Sequence, residues 1–314
     1  MRACGNGWGA MPRRSRDSSG GMPSPQPACG RMKGNTPPNA LAHSGTNPMN
    51  HPLSPRHPPP RWLLLLSGVV IAAGLALGWS RGALGVMDGV GYAVCHQITV
   101  RTYVFGDRVM PLCARCTGQY LGAMAGFFMA LAWNRGRASG LPSRGMTLTL
   151  VLFLAVWGLD GVNSFIFLLT QQPFLYTPHN LLRLIAGMLQ GVAVSMLFLP
   201  FFNQVFWRQP DPRPALRGWR DMAAMLLLAA LLTLAVNSRW PALFYPLAAL
   251  SSLGAFLLLS LAGALITVMA LRAENAAETW GDFLRFLLPG MAFAVLLILA
   301  IDGLRAWGEL AGLP

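Results

Sequence analysis

Three of the five cysteines lie between positions 95 and 116: Cys95, followed directly by His96, and then Cys113 and Cys116, which form a Cys-x-x-Cys pair. Thiolates are both nucleophiles and soft-metal ligands, so chemistry in this chain is expected to start here. A pair at this spacing can be an inert disulfide, a redox couple or half of a metal site. Metal binding needs further ligands, and Cys95 and His96 supply them. Three thiolates and an imidazole complete a tetrahedral zinc site, and the 17 residues between Cys95 and Cys113 are a sufficient loop to close it. Adjacent side chains rarely both reach one metal, which makes His179 the alternative fourth ligand. The expected cofactor is therefore zinc or another transition metal held by Cys95, His96, Cys113 and Cys116. A membrane thiol–disulfide oxidoreductase cycling Cys113 and Cys116 is the alternative. Covalent haem is disfavoured, because Thr117 stands where such attachment needs histidine.

Something must position these groups, and composition says what. Apolar residues make up 54% of the 314 residues and charged residues 11%, with a mean hydropathy of +0.47, which is outside the range of soluble proteins. The formal charge of +13 does not imply nucleic acid: eight of the 24 Lys and Arg precede Leu63, and most others fill short gaps between apolar runs. The fold expected is all-α, a polytopic transmembrane helical bundle partnered by the lipid bilayer. Seven stretches are long enough or nearly so, at 62–80, 117–133, 146–169, 181–202, 222–238, 243–271 and 284–306, with six spans as the fallback. Residues 83–94 are too short and glycine-rich to cross and are expected to lie in the interface ahead of Cys95. Residues 1–61 hold half of the prolines and read as a disordered tail, in which Cys4 and Cys29 are incidental. The remaining division is a membrane core over 62–206 carrying the cysteine loop, a cytoplasmic linker over 207–221 and a three-span extension over 222–314.

Loop charge orients the bundle. With seven spans and the N-terminus in the cytoplasm, the inner segments collect the tail, Arg135, Arg137, Arg144, Arg208, Arg213, Arg217, Arg220 and Arg272, and the cysteine segment falls outside a cytoplasmic (inner) membrane. Glycines four apart, at 118, 122 and 126, at 187 and 191 and at 74 and 78, mark close helix packing. Arg183 is one such step before Gly187 and so points into the bundle. Asp160, Asn163 and Ser164 share a face of the third span, while His179, Asn180 and Arg183 lie at the outer mouth. Two roles are open for Asp160, Asn163, His179, Asn180 and Arg183: structural support through an Asp160–Arg183 pair, or reception of an anion such as a lipid phosphate, with Asp160 orienting the arginine. Asp302 and Arg305 read as a local pair at the membrane edge.

Cys95-His96-Gln97, a following arginine, a glycine near the loop centre and the block Pro111-Leu112-Cys113-Ala114-Arg115-Cys116-Thr117-Gly118-Gln119-Tyr120-Leu121-Gly122 resemble a family of predicted bacterial and archaeal membrane proteins known only as a domain of unknown function. The similarity continues through Asp160-Gly161 and Asn180-Leu181-Leu182-Arg183 with Gly187, covering about residues 90–200. It implies a multi-span protein whose Cys, His and Arg positions belong to a shared core, and it implies no known activity. The CxxC at the outer end of a helix is also loosely similar to quinone-linked disulfide-forming membrane enzymes, but their second cysteine pair has no full counterpart here.

Overall fold

A computed structural model describes residues 58–311. The expectations for the disordered tail, with Cys4 and Cys29, fall on residues outside those described.

Eight α-helices make up most of the described chain: α1 (Arg61–Trp79), α2 (Gly82–Val94), α3 (Ala114–Ala132), α4 (Arg144–Thr170), α5 (Asn180–Phe206), α6 (Trp219–Asn237), α7 (Phe244–Ala270) and α8 (Trp280–Leu310). Six of them, all but α2 and α3, are long and apolar enough to cross a membrane, which is the fallback number of spans. α3 coincides with the expected second span but is not among the six. Arg115, Thr117 and Gln119 and its run of Gly and Ala dilute its apolar character, and ten of its 19 residues are buried. A helix wrapped by other helices needs little lipid-facing apolar surface. Leu65 of α1, Leu148 of α4 and Leu304 of α8, by contrast, are each more than 60% exposed, as suits side chains that meet lipid.

The glycines set the core geometry. A methyl group at Gly118 or Gly122 of α3 would strike the backbone of Leu184 or Met188, and one at Gly187 or Gly191 of α5 would strike that of Arg115 or Gln119. Positions rise together along both helices, so α3 and α5 run parallel with their backbones in contact. Gly290 of α8 meets the Ser260 carbonyl of α7 in the same way, and Gly254 of α7 meets the Tyr120 carbonyl of α3.

The connections gather at two ends. At one, β3 (Ala138–Gly140) pairs in parallel with β4 (Asp211–Pro214), and Trp207 bridges to Ala277, which joins the α3–α4, α5–α6 and α7–α8 connections. At the other, the segment after Cys95 is an ordered structure instead of an open loop. A 3₁₀ turn at Thr99–Arg101 leads into an antiparallel hairpin of β1 (Thr102–Phe105) and β2 (Arg108–Cys113). Gly106, at φ +65, and Asp107 turn the hairpin, and Tyr103 and Phe105 bury its inner face. Tyr103 Oη donates to Asn237 Oδ1 at 3.3 Å, and Asn180 Nδ2 donates to the Val100 carbonyl at 3.2 Å. These bonds tie the hairpin to the end of α6 and the 3₁₀ turn to the start of α5.

Candidate metal centre

Three elements end at one place and each delivers a sulfur. Cys95 is the C-cap of α2, Cys113 is the last residue of β2 and the N-cap of α3, and Cys116 lies in the first turn of α3. All three are free thiols, with their Sγ atoms within 4.8 Å of one another. Cys95 is buried, while Cys113 and Cys116 are half-buried, so the cluster has a closed floor and a more open side.

Local folding fixes the floor. Gln97 takes a left-handed backbone, φ +49, that turns the chain so that its amide donates back to Cys95 Sγ at 3.4 Å. The Cys113 amide donates to the same sulfur at 3.3 Å. Gln97 Nε2 donates to the Pro111 carbonyl at 2.9 Å, tying the Cys95 turn to β2. Arg305 of α8 donates from Nη1 to the Tyr92 carbonyl and, at 2.9 Å, to the Cys95 carbonyl. The expected local pairing of Arg305 with Asp302 is thus replaced by a cap on the C-terminal end of α2, where a cation meets the negative end of the helix.

The most acidic thiol is Cys95, not a member of the CxxC pair. Hydrogen bonding from the Cys113 thiol, then from the Cys116 thiol, holds it far below the ordinary thiol range; burial opposes this, and the Cys113 and Gln97 amides add to it. At Cys113 a hydrogen bond from Cys116 lowers the value, but the bond to Cys95, burial and the Cys95 charge outweigh it and leave the thiol raised.

Neither histidine joins the sulfurs. Among the described residues the grouped ligand atoms are those of the three cysteines alone. His96 is exposed on the turn after Cys95 and is not among the grouped ligands. His179 is the N-cap of α5, its Nδ1 accepting from the Leu181 amide at 3.3 Å.

The charged residues behind the thiols are also paired differently from expectation. Asp160, only 3% exposed, pairs with Arg115 and not with Arg183: Arg115 Nε donates to Asp160 Oδ2 at 2.9 Å, Nη2 also reaches Oδ2, and a further bond runs to Ser164 Oγ at 2.9 Å. Arg115 therefore turns to α4 instead of charging the thiols. Tyr176 donates its hydroxyl to Asp160 Oδ1 at 2.6 Å, and its phenol is pushed up to about 12, first by burial and then by that bond and the carboxylate's charge. Asn163 holds the same loop, donating to the Tyr176 carbonyl and accepting from the Leu175 amide, each at 2.9 Å. Arg183 is buried as its spacing implies; its Nη1 donates to Asn180 Oδ1 at 2.9 Å and its Nε to Ser164 Oγ at 3.4 Å. Arg101, given no role by sequence reasoning, donates to the Ser164 carbonyl at 3.4 Å. Gln97 and Arg115 carried a signal, in the Cys-His-Gln run and in an arginine between two cysteines; Tyr176 carried none.

The chain is similar to known proteins over about a third of its length. The model of a family described as predicted membrane protein, DUF2085, matches residues 95–197. An uncharacterised protein of Methanothermobacter thermautotrophicus is 30% identical over 104 residues, covering 33% of this chain and 83% of the relative. One of Methanocaldococcus jannaschii is 27% identical over 116 residues, covering 37% of this chain and 68% of the relative. No solved structure matches the chain. The chain belongs to the DUF2085 family of predicted membrane proteins.

Proposed function

We propose that this membrane protein binds a transition metal, with zinc as the best match, through Cys95, Cys113 and Cys116. The observation that carries the reading is the approach of three free sulfurs to within 4.8 Å from three different elements. A tetrahedral thiolate zinc site, with Zn–S near 2.3 Å, places sulfurs about 3.8 Å apart, so little adjustment is needed. Amides aimed at Cys95 Sγ are the donors a thiolate ligand uses. The Arg305 cap and the Gln97–Pro111 bond hold the ligands' backbones, so the site is preorganised by the bundle.

With both histidines turned elsewhere, the fourth position falls to water or an incoming ligand. Three protein ligands with an open fourth position is the pattern of working zinc sites rather than closed structural ones. A metal there would supply Lewis acidity.

The wider setting follows from loop charge and from the matched region. The arginines of the α3–α4, α5–α6 and α7–α8 connections favour the cytoplasmic side for that end. The N-terminus is then cytoplasmic, and the thiols face outward from the inner membrane. In that setting residues 62–206 are the membrane core, of which the family match covers 95–197, residues 207–221 a linker and 222–314 an extension.

Elemental analysis of the full chain purified in detergent, with thiol counting on the same sample, tests the reading. Near-stoichiometric zinc that disappears in Cys113→Ser is expected. Full metal content in Cys113→Ser would overturn it. So would a metal-free protein with Cys113 and Cys116 joined in a reducible disulfide, which would move the assignment to the redox pair.

A further inference from the structure

Behind the thiols, three guanidinium groups meet at Ser164. Arg115 takes Asp160, while Arg101 and Arg183 are in no ion pair among the described residues. Arg183 is 6% exposed, yet its hydrogen-bond partners are a neutral amide and a neutral hydroxyl, and its Nη2 has no acceptor among the described residues. It is close enough to Arg101, Arg115, Asp160 and Cys113 for their charges to act on it. A guanidinium this deep at the end of a membrane helix, with two others beside it and one carboxylate already paired, is short of negative charge.

The surroundings suit a tetrahedral oxyanion. Ser164, 1% exposed, accepts from Arg115 and Arg183 through Oγ, and its own hydroxyl proton has no acceptor among the described residues. Arg183 lies in the first turn of α5, a helix of 27 residues with no acidic side chain in that turn, so the positive end of its dipole acts at the same point. Guanidinium is the side chain whose fork matches phosphate oxygens. Even with three thiolates around a divalent ion contributing one negative charge, the three arginines and Asp160 leave one positive charge over. Around the mouth Val100, Phe174, Leu175 and Leu182 expose apolar side chains, as acyl chains beneath a headgroup would require.

We propose that Arg183, Arg101 and Ser164 form a phosphate-binding site beside the thiol cluster, whose ligand is a phosphate group of a lipid headgroup or of a soluble molecule. Asp160 and Arg115 position it: the carboxylate fixes Arg115, and Arg115 fixes Ser164. This site does not depend on the metal reading, since it is built from different side chains.

The test uses the full chain in detergent, delipidated, with two probes. Inorganic phosphate is titrated calorimetrically, and retention of phosphatidylglycerol against phosphatidylcholine is read by native mass spectrometry. Arg183→Gln is expected to weaken the bound probe at least about tenfold. Arg101→Gln, a less buried change on the hairpin side, should weaken it in the same direction, so that misfolding of the first variant does not decide the matter. Zinc content is measured in both variants as a separate readout of the thiol cluster. Phosphate binding lost in both variants supports a soluble ligand. Phosphatidylglycerol retention lost in both, without phosphate binding, supports a headgroup. If neither probe distinguishes the wild type from the folded variants, the proposal fails, whatever the zinc content.

Discussion

Both ends of the bundle are rich in arginine, but the arginines are compensated differently. At the end built on β3 and β4, the arginines that join the connections each have a partner of their own. Arg135 pairs with Asp221 and lies 5.0 Å from the Trp133 ring centroid, Arg208 pairs with Glu278, Arg213 pairs with Asp211, and Arg137 sits 3.9 Å over Trp207. At the thiol end Arg101, Arg115 and Arg183 all reach Ser164, and of the three Arg115 alone is in an ion pair, with Asp160. A matched set stitches three connections together and needs nothing else. An unmatched set in a low-dielectric setting is costly in the absence of a ligand, and such groups cluster where proteins bind or react. The first end reads as assembly and the second as function.

The largest effect expected from breaking this contrast is at Asp160. Asp160→Ala removes a buried carboxylate that both Arg115 and the Tyr176 hydroxyl bind, leaving Arg115 only the Ser164 hydroxyl and the backbone carbonyl at 160, a loss of about 3 kcal/mol. Thermal unfolding in detergent would show it as a large drop in midpoint. Asp221→Ala, at the matched end, should cost about 1–2 kcal/mol, because Arg135 keeps the Ala215 carbonyl at 3.0 Å and the Trp133 face. Equal losses at the two ends would remove the contrast.

A smaller effect concerns the Tyr176 phenol, held up to about 12 by burial first and by Asp160 second. In the folded protein the neutral phenol is favoured, so its contribution to stability is complete below the ordinary tyrosine value near 10 and is lost as pH rises through about 12. Asp160→Asn removes the carboxylate's charge but not the burial. Ionisation, followed at 295 nm against a Tyr176→Phe baseline, should then fall part of the way back towards 10. No movement would mean that Asp160 does not govern this loop.

Much of the frame was legible in the sequence because membrane helices announce themselves by length and apolarity, and the helices lie within a few residues of the expected stretches. Glycine spacing also read through, since a position that cannot hold a methyl group beside another backbone leaves its mark on composition: Gly118, Gly122, Gly187 and Gly191 form the α3–α5 contact they suggested. The hairpin lies within the stretch read only as a loop between Cys95 and Cys113, although Tyr103, Val104 and Phe105, the Gly106-Asp107 turn and then Val109 and Met110 carry a strand–turn–strand pattern. At the site, the convergence of Cys95 with Cys113 and Cys116 was readable from residue type and loop length. Partner choice was not: helix faces indicate that Arg183 and Asp160 point inward, but which arginine reaches the carboxylate depends on the rotation of α3 against α4. His96, next to Cys95 in sequence, lies exposed and outside the group of sulfurs, a placement that residue type alone does not reveal.

The smallest expected effects sharpen the comparison most. Arg208 and Glu278 are 26% and 42% exposed, so Arg208→Ala should change stability by less than about 1 kcal/mol. Arg101→Gln should be similarly mild, since its side chain gives up one long bond to a backbone carbonyl. Melting would then rank the two substitutions together. Ligand retention would separate them: Arg208→Ala should hold phosphate or phosphatidylglycerol as the wild type does, whereas Arg101→Gln should weaken it. An arginine whose loss hardly moves the melting midpoint but releases a ligand is present for binding, and one whose loss moves neither is only part of the seam. If both variants behave alike in both measurements, the surplus charge at the thiol end has no ligand and the two ends differ only in how tightly they are sewn.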